Sequence, residues 1–245
     1  MDTIYLILVG FISGAINVIA GGASLLTLPL LIFLGLPPNI ANGTNRVAIF
    51  FQNFSGAAGY KSKKIDTHPY DIYFGIAALI GAFIGAKLAV DIKGDVFNKI
   101  LSIVMVFVLF FLILKPKDLE KLAERTSPKY IWINSVIFFI IGIYAGFIQA
   151  GTGLFMLLAL NRINRFSLLK SNAAKTTIMF IYTISALATF AYYDKINWEY
   201  GLTLAFGGVI GAWFASRWAV KKGDKLIRAF LIVTVIGMAI KLWFY

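Results

Sequence analysis

Ten apolar segments follow one another along this chain, at roughly 3–20, 23–36, 39–60, 70–91, 97–114, 130–150, 153–160, 168–193, 198–220 and 226–244. About 20 apolar residues carry a helix across a bilayer, and several of these runs are that long. Hydrophobic residues make up 60% of the chain and charged residues only 14%, a balance that belongs to integral membrane proteins. The expectation is an all-α polytopic helical bundle in a cell membrane. Met1-Asp2-Thr3 lacks the basic start of a cleaved signal peptide, so Ile4 onward reads as mature membrane domain.

Two of the segments carry a break. Asn17 to Pro29 reads N-V-I-A-G-G-A-S-L-L-T-L-P, where Gly21, Gly22 and Ser24 leave a hole in the side-chain coverage. The second break falls at Gln149-Ala150-Gly151-Thr152-Gly153. Glycine weakens a helix, and a broken helix survives in a bilayer only where protein or water satisfies the released backbone groups. Interrupted segments at matching places in two halves point to a transporter's binding site. Segments 3–20 and 23–36 read equally well as two crossings or as a re-entrant hairpin.

The halves match. Gly10-x-x-x-Gly14-x-x-Asn17 aligns with Gly142-x-x-x-Gly146-x-x-Gln149, and Ala41-Asn42-Gly43-Thr44-Asn45-Arg46 aligns with Ser171-Asn172-Ala173-Ala174-Lys175-Thr176. Ile80-Gly81-Ala82 aligns with Ile210-Gly211-Ala212, all at an offset close to 130 residues. This divides the chain into a first transmembrane repeat (1–114), a charged cytoplasmic linker (115–129) and a second repeat (130–245). The linker reads as a short amphipathic turn or two, with Leu119, Leu122 and Ala123 facing the membrane surface. If each half crosses an odd number of times, 16 of the 23 Lys and Arg residues gather on one side and 5 on the other, with Arg46 and Lys175 on neither. An even number divides the same loops almost equally. Basic loops mark the cytoplasm, so the second repeat is expected to be inverted and both termini extracytoplasmic. The glycine seams Gly81-x-x-x-Gly85 and Gly207-x-x-x-Gly211 read as close helix packing.

Arg46 follows the helix-start signal Leu36-Pro37-Pro38-Asn39 by about 10 Å at 1.5 Å per residue. Asn42, Arg46 and Asn53 share one helical face, as do Asn172, Lys175, Thr176 and Thr183. A charge inside a bilayer costs about 2.5–3.5 kcal/mol on insertion scales and is usually functional. The competing reading lets both cations snorkel to a headgroup region while the amides cap helices.

Several chemistries are excluded. There is no cysteine, and His68 is the only histidine, so a metal cluster or a Ser–His dyad has no ligands to use. All 11 carboxylates lie in loops or at segment ends. An intramembrane enzyme therefore lacks its parts, and no cofactor is implied. The net charge of +12 reads as basic cytoplasmic loops in contact with the bilayer, not as nucleic-acid binding.

These residues resemble the sulfite exporter TauE/SafE family. The likeness lies in G-x-x-x-G-x-x-N-V-I-A-G-G-A-S-L-L-T-L-P, in A-N-G-T-N-R and in K-S-N-A-A-K-T, and it covers essentially the whole chain. One departure is Leu160, where the family's second break would carry a proline. The resemblance implies export of small anions such as sulfite, sulfonates or related organic acids. The residues themselves support an anion site. Half-helix N-termini favour negative charge, and Gly21, Gly22, Gly151 and Gly153 let a ligand approach bare backbone. Arg46 and Lys175 would add charge, and Asn42, Asn172, Thr44 and Thr176 hydrogen bonds. The candidate binding set is completed by Asn17, Ser24, Asn45, Asn53, Gln149 and Thr152. A small-anion channel and a non-transporting membrane assembly subunit stand as alternatives, and homodimerisation is left open.

Overall fold

The computed structural model describes residues 2–113 and 123–219. Among these it has nine helices and no strand: α1 (Asp2–Ala20), α2 (Ala23–Phe33), α3 (Pro38–Lys61), α4 (Tyr70–Val90), α5 (Gly94–Ile113), α6 (Pro128–Phe147), α7 (Thr152–Ile163), α8 (Leu168–Tyr192) and α9 (Trp198–Ala219). The tenth apolar segment, 226–244, and linker residues 115–122 lie outside the described residues. Helices α1, α4, α6 and α8 are long and apolar enough to cross a membrane on length and composition alone, and α2 and α7 are shorter apolar helices. The bundle exposes large apolar side chains over its outside, among them Ile4, Leu88, Trp132, Ile140, Phe206 and Phe214. Such a surface suits lipid rather than water.

The helix lengths recur in order: 19, 11, 24 and 21 residues for α1 to α4, then 20, 12, 25 and 22 for α6 to α9. Local chemistry sets the ends. Pro38 and Pro128 open α3 and α6 at the first helical turn, where a missing N–H does no harm. Ser167 caps α8 by accepting from the Lys170 N–H. The segment expected to run to residue 36 stops as helix α2 at Phe33. Gly35 takes φ +92°, and the N–H groups of Gly35 and Leu36 turn back to Ile32 O and Leu31 O. That is the pattern of a helix closed by a left-handed glycine.

Packing exchanges helices between the two halves. α1 lies against α9, and α6 lies against α4. Gly207 and Gly211 sit over the carbonyls of Ile7 and Phe11, while Gly81 and Gly85 sit over those of Phe139 and Ile143. A Cβ at any of the four would fall inside contact distance of the facing carbonyl, so both seams are backbone against backbone. α3 packs on α9 as α8 packs on α4. Ser55 Oγ donates to Val209 O at 2.8 Å, and Ser185 Oγ donates to Leu79 O at 2.8 Å. Both partners in the second bond follow from the first by a shift of 130 positions.

Candidate functional site

The two glycine breaks meet. Gly21, at φ +71°, lies directly on Gly153: a Cβ on Gly21 would come within 2.6 Å of Gly153 Cα, and one on Gly153 within 2.5 Å of Gly21 Cα. Gly151 also takes φ +71°, and serves as the N-cap of α7 as Gly22 does for α2. Neither N-terminus has a side-chain cap. The positive ends of two short helices therefore begin beside one contact. The second break is shaped differently from the first: residues 148–151, with Ile148 extended, part α6 from α7, where Gly21 and Gly22 alone part α1 from α2, while α7 runs unbroken through Leu160 as α2 does through Pro29.

The helices that end at the breaks are capped by cations from the opposite half. Arg46 Nη1 donates to Ala145 O at 3.0 Å and Nη2 to Gly146 O at 2.6 Å, in the last turn of α6. Asn42 accepts from Arg46 Nη2 at 3.2 Å and donates to Phe147 O at 2.8 Å. The guanidinium also lies 4.7 Å from the centre of the Phe190 ring. Lys175 Nζ reaches Asn17 O at 3.1 Å and Val18 O at 3.0 Å, in the last turn of α1, and Asn172 Oδ1 at 2.7 Å. Both cations are 0% exposed. Neither snorkels. Each more than offsets the partial negative charge at the end of a broken helix, so that with the two uncapped N-termini the surroundings of the Gly21–Gly153 contact are net positive.

The other candidates fall into two clusters and a remainder. Around the first break, Asn17 Nδ2 donates to Asn53 Oδ1 at 3.2 Å, and Asn45 bridges Ser24 Oγ at 3.0 Å and Thr27 Oγ1 at 2.5 Å. Around the second, Gln149 Nε2 donates to the Tyr182 hydroxyl at 2.9 Å and faces Thr183 Oγ1 at 3.5 Å, while Thr152 Oγ1 donates to Gln149 O. Thr44 is placed elsewhere, accepting from the Asn197 N–H ahead of α9. Thr176 donates within its own helix to Asn172 O. Tyr182, Tyr144 and Thr27 are absent from the sequence-derived set. Tyr144, whose hydroxyl donates to Ala150 O, and fully buried Tyr182 both flank the second break. A tyrosine far from the ends of a membrane segment is itself a signal, because tyrosine prefers the interface.

A cavity of about 480 Å³ opens away from the breaks, lined by Tyr60, Lys61, Asp66, His68 and Asp71 and walled by Phe54 and Phe180. Its Tyr60 hydroxyl donates to Val18 O, the carbonyl that Lys175 also holds.

The model of the sulfite exporter TauE/SafE family matches residues 6–242. The chain belongs to this family. Relatives include the probable membrane transporter protein ORF9 of Sinorhizobium sp, 30% identical over 240 residues that cover 97% of this chain and 91% of the relative. A probable membrane transporter protein of Haemophilus influenzae is 29% identical over 244 residues, covering 97% and 94%. The probable membrane transporter protein YfcA of Escherichia coli K12 is 28% identical over 241 residues, covering 97% and 88%. No solved structure matches the chain. This TauE/SafE protein is thus a multi-pass membrane transporter and not an enzyme.

Proposed function

We propose that this transporter exports small anions such as sulfite, sulfonates or related organic acids, by alternating access around the contact of its two glycine breaks. The observation that carries the reading is the meeting of two uncapped helix N-termini at Gly21 and Gly153, with each opposing C-terminus more than offset by a buried cation. The halves are inverted across the membrane. Because α1 is seamed to α9 and α4 to α6 by backbone contact, the bodies that move are two mixed bundles rather than the two sequence halves. Proteoliposomes loaded with sulfite or a short alkanesulfonate test the function. Saturable efflux, accelerated by external substrate, is expected. Flux that neither saturates nor responds to external substrate would assign a channel instead.

The inverted arrangement places Lys121 in the cytoplasm and Tyr245 outside it. A reporter fused at Tyr245 should be active outside, and one inserted at Lys121 inside. A cytoplasmic Tyr245 reporter beside a cytoplasmic Lys121 reporter would give the wrong parity and end the inverted reading.

Energy coupling follows from where the acids sit. Asp71, in the first turn of α4, is the most deeply placed carboxylate among the described residues, and it is held by the Thr67 hydroxyl and the Ile72 N–H. Proton-driven carriers usually bury their acid mid-membrane. Movement of a fully ionised sulfonate is therefore expected to follow the membrane potential or an opposing anion. Accumulation driven by a pH gradient at zero potential would show the opposite.

A further inference from the structure

The two breaks meet at Gly21 and Gly153 but differ in their side chains. At the first, Asn17 and Asn53 satisfy each other, and Asn53 Nδ2 also donates to Ile49 O at 2.8 Å. No side-chain atom of Asn17, Asn53, Ser24 or Asn45 is left buried without a partner. At the second, Gln149 is 1% exposed, and its Oε1 has no partner among the described residues. Arg46, which holds the carbonyls just ahead of this break, keeps an Nε–H that is also without a partner. A buried polar atom left unbonded costs roughly 1–3 kcal/mol, more beside a charge, so two of them on residues that both neighbour Tyr182 call for a ligand.

The chemistry of the cluster says which ligand. Thr152 stands in the first turn of α7, and the Tyr182 hydroxyl interacts with Thr152, Thr183 and Gln149 and lies within electrostatic reach of the Arg46 guanidinium. Hydroxyls rotate, and an amide's two ends are assigned rather than seen. If Gln149 is turned over, its oxygen takes the Tyr182 proton and its NH₂ becomes the orphan. In that state the cluster holds one more unused donor beside Arg46 Nε–H and the uncapped start of α7. With the amide so turned, the two unused groups, Gln149 NH₂ and Arg46 Nε–H, are both donors, the complement of an oxyanion.

We propose that the transported oxyanion binds at the second break, off the axis between the halves, with the Gln149 NH₂ and Arg46 Nε–H as its donors, and that the Tyr182 hydroxyl, donating to Gln149 Oε1, holds the amide in that orientation and so sets specificity. This rests on the anion reading above. The residue at the matching position of the first half is Gln52, by the same shift of 130 that relates Ser55 to Ser185. Gln52 Oε1 also lacks a partner, but Gln52 is bonded to Ser13 and packed on Gly208, in the α1–α9 seam and not at the break.

The test is calorimetric titration of the purified full-length protein with sulfite and with methanesulfonate. Tyr182→Phe removes one oxygen, leaves the Gln149 amide free to turn, and is expected to weaken binding by about 10- to 100-fold, the range for a hydrogen bond to a charged group, while the melting temperature falls by only a few degrees because Gln149 loses its partner. Gln149→Met should give a comparable loss, and it decides the matter if Tyr182→Phe does not fold. Gln52→Met should bind within about 2-fold of wild type. Binding by both Tyr182→Phe and Gln149→Met at wild-type strength would overturn the assignment while leaving the anion reading in place. So would an equal loss in Gln52→Met, which would put the ligand on the axis. Failure of the wild-type protein to bind either anion would remove both.

Discussion

Gly21→Ala is expected to melt on the order of 10 °C below the wild-type protein in detergent and to lose transport. Two costs combine at this residue. At φ +71° an L side chain pays about 1–2 kcal/mol, and its Cβ would press to within 2.6 Å of the Gly153 Cα in backbone that cannot move aside. Overpacking of that kind adds about 1–3 kcal/mol, and about 1 kcal/mol corresponds to 2–4 °C in a chain of this size. Two other glycines separate the terms. Gly35→Ala carries only the backbone cost, since φ is +92° with nothing within 4 Å of its Cβ. Gly153→Ala carries only the steric one. Gly21→Ala should therefore fall further than either, and the Gly21→Ala/Gly153→Ala pair should be non-additive because both act on one contact. A Gly21→Ala protein that melts with Gly35→Ala would mean that the breaks do not touch.

Arg46→Ala and Lys175→Ala should each insert normally and yet bind anion weakly and melt early. Insertion is spared because each change removes a charge from an apolar segment. Folding suffers because the last-turn carbonyls at Ala145 and Gly146, or at Asn17 and Val18, lose their donor in a buried setting. Leaving such groups unmet costs about 3–5 kcal/mol in total, by analogy with one-sided removal of a buried ionic partner. Arg46→Lys should recover part of this, since one ammonium cannot reproduce a planar fork reaching two successive carbonyls and Asn42. Wild-type melting and affinity in both Ala variants would show that the cations are dispensable, contrary to their placement.

Much of the bundle is legible in the sequence because its punctuation is local. Pro37-Pro38, Ser127-Pro128 and the glycine pairs each act within one turn, and the nine described helices start and stop within a few residues of the expected segments. The small-residue seams were legible as close contacts, but not their partners. Gly81 gives no hint that Phe139 lies opposite, because helix pairing depends on residues far along the chain. The same limit governs the cations. Helical spacing puts Asn42, Arg46 and Asn53 on one face, yet the carbonyls that Arg46 meets are 99 and 100 residues away. Carbonyls leave no mark in a sequence, since every residue has one. Tyr182 went unread for another reason: the residue aligned with it is Gln52, so the matching of halves that highlighted Asn42 and Asn172 passed over it.

The exchanged helices also set an order of events at the ribosome. α1 enters the membrane first, but its glycine-bearing partner α9 begins only at Trp198. At roughly 5–20 residues per second, α1 waits on the order of 10–40 seconds beside the translocon with no seam to close. For much of that interval Arg46 has neither Ala145 nor Gly146 to hold, and the last turn of α1 has no Lys175. The nascent first half is thus a charged, unsealed intermediate that the second half completes. Chains truncated before α9 should be degraded by membrane quality control, while the missing C-terminal segment, supplied as a separate polypeptide, should rescue them.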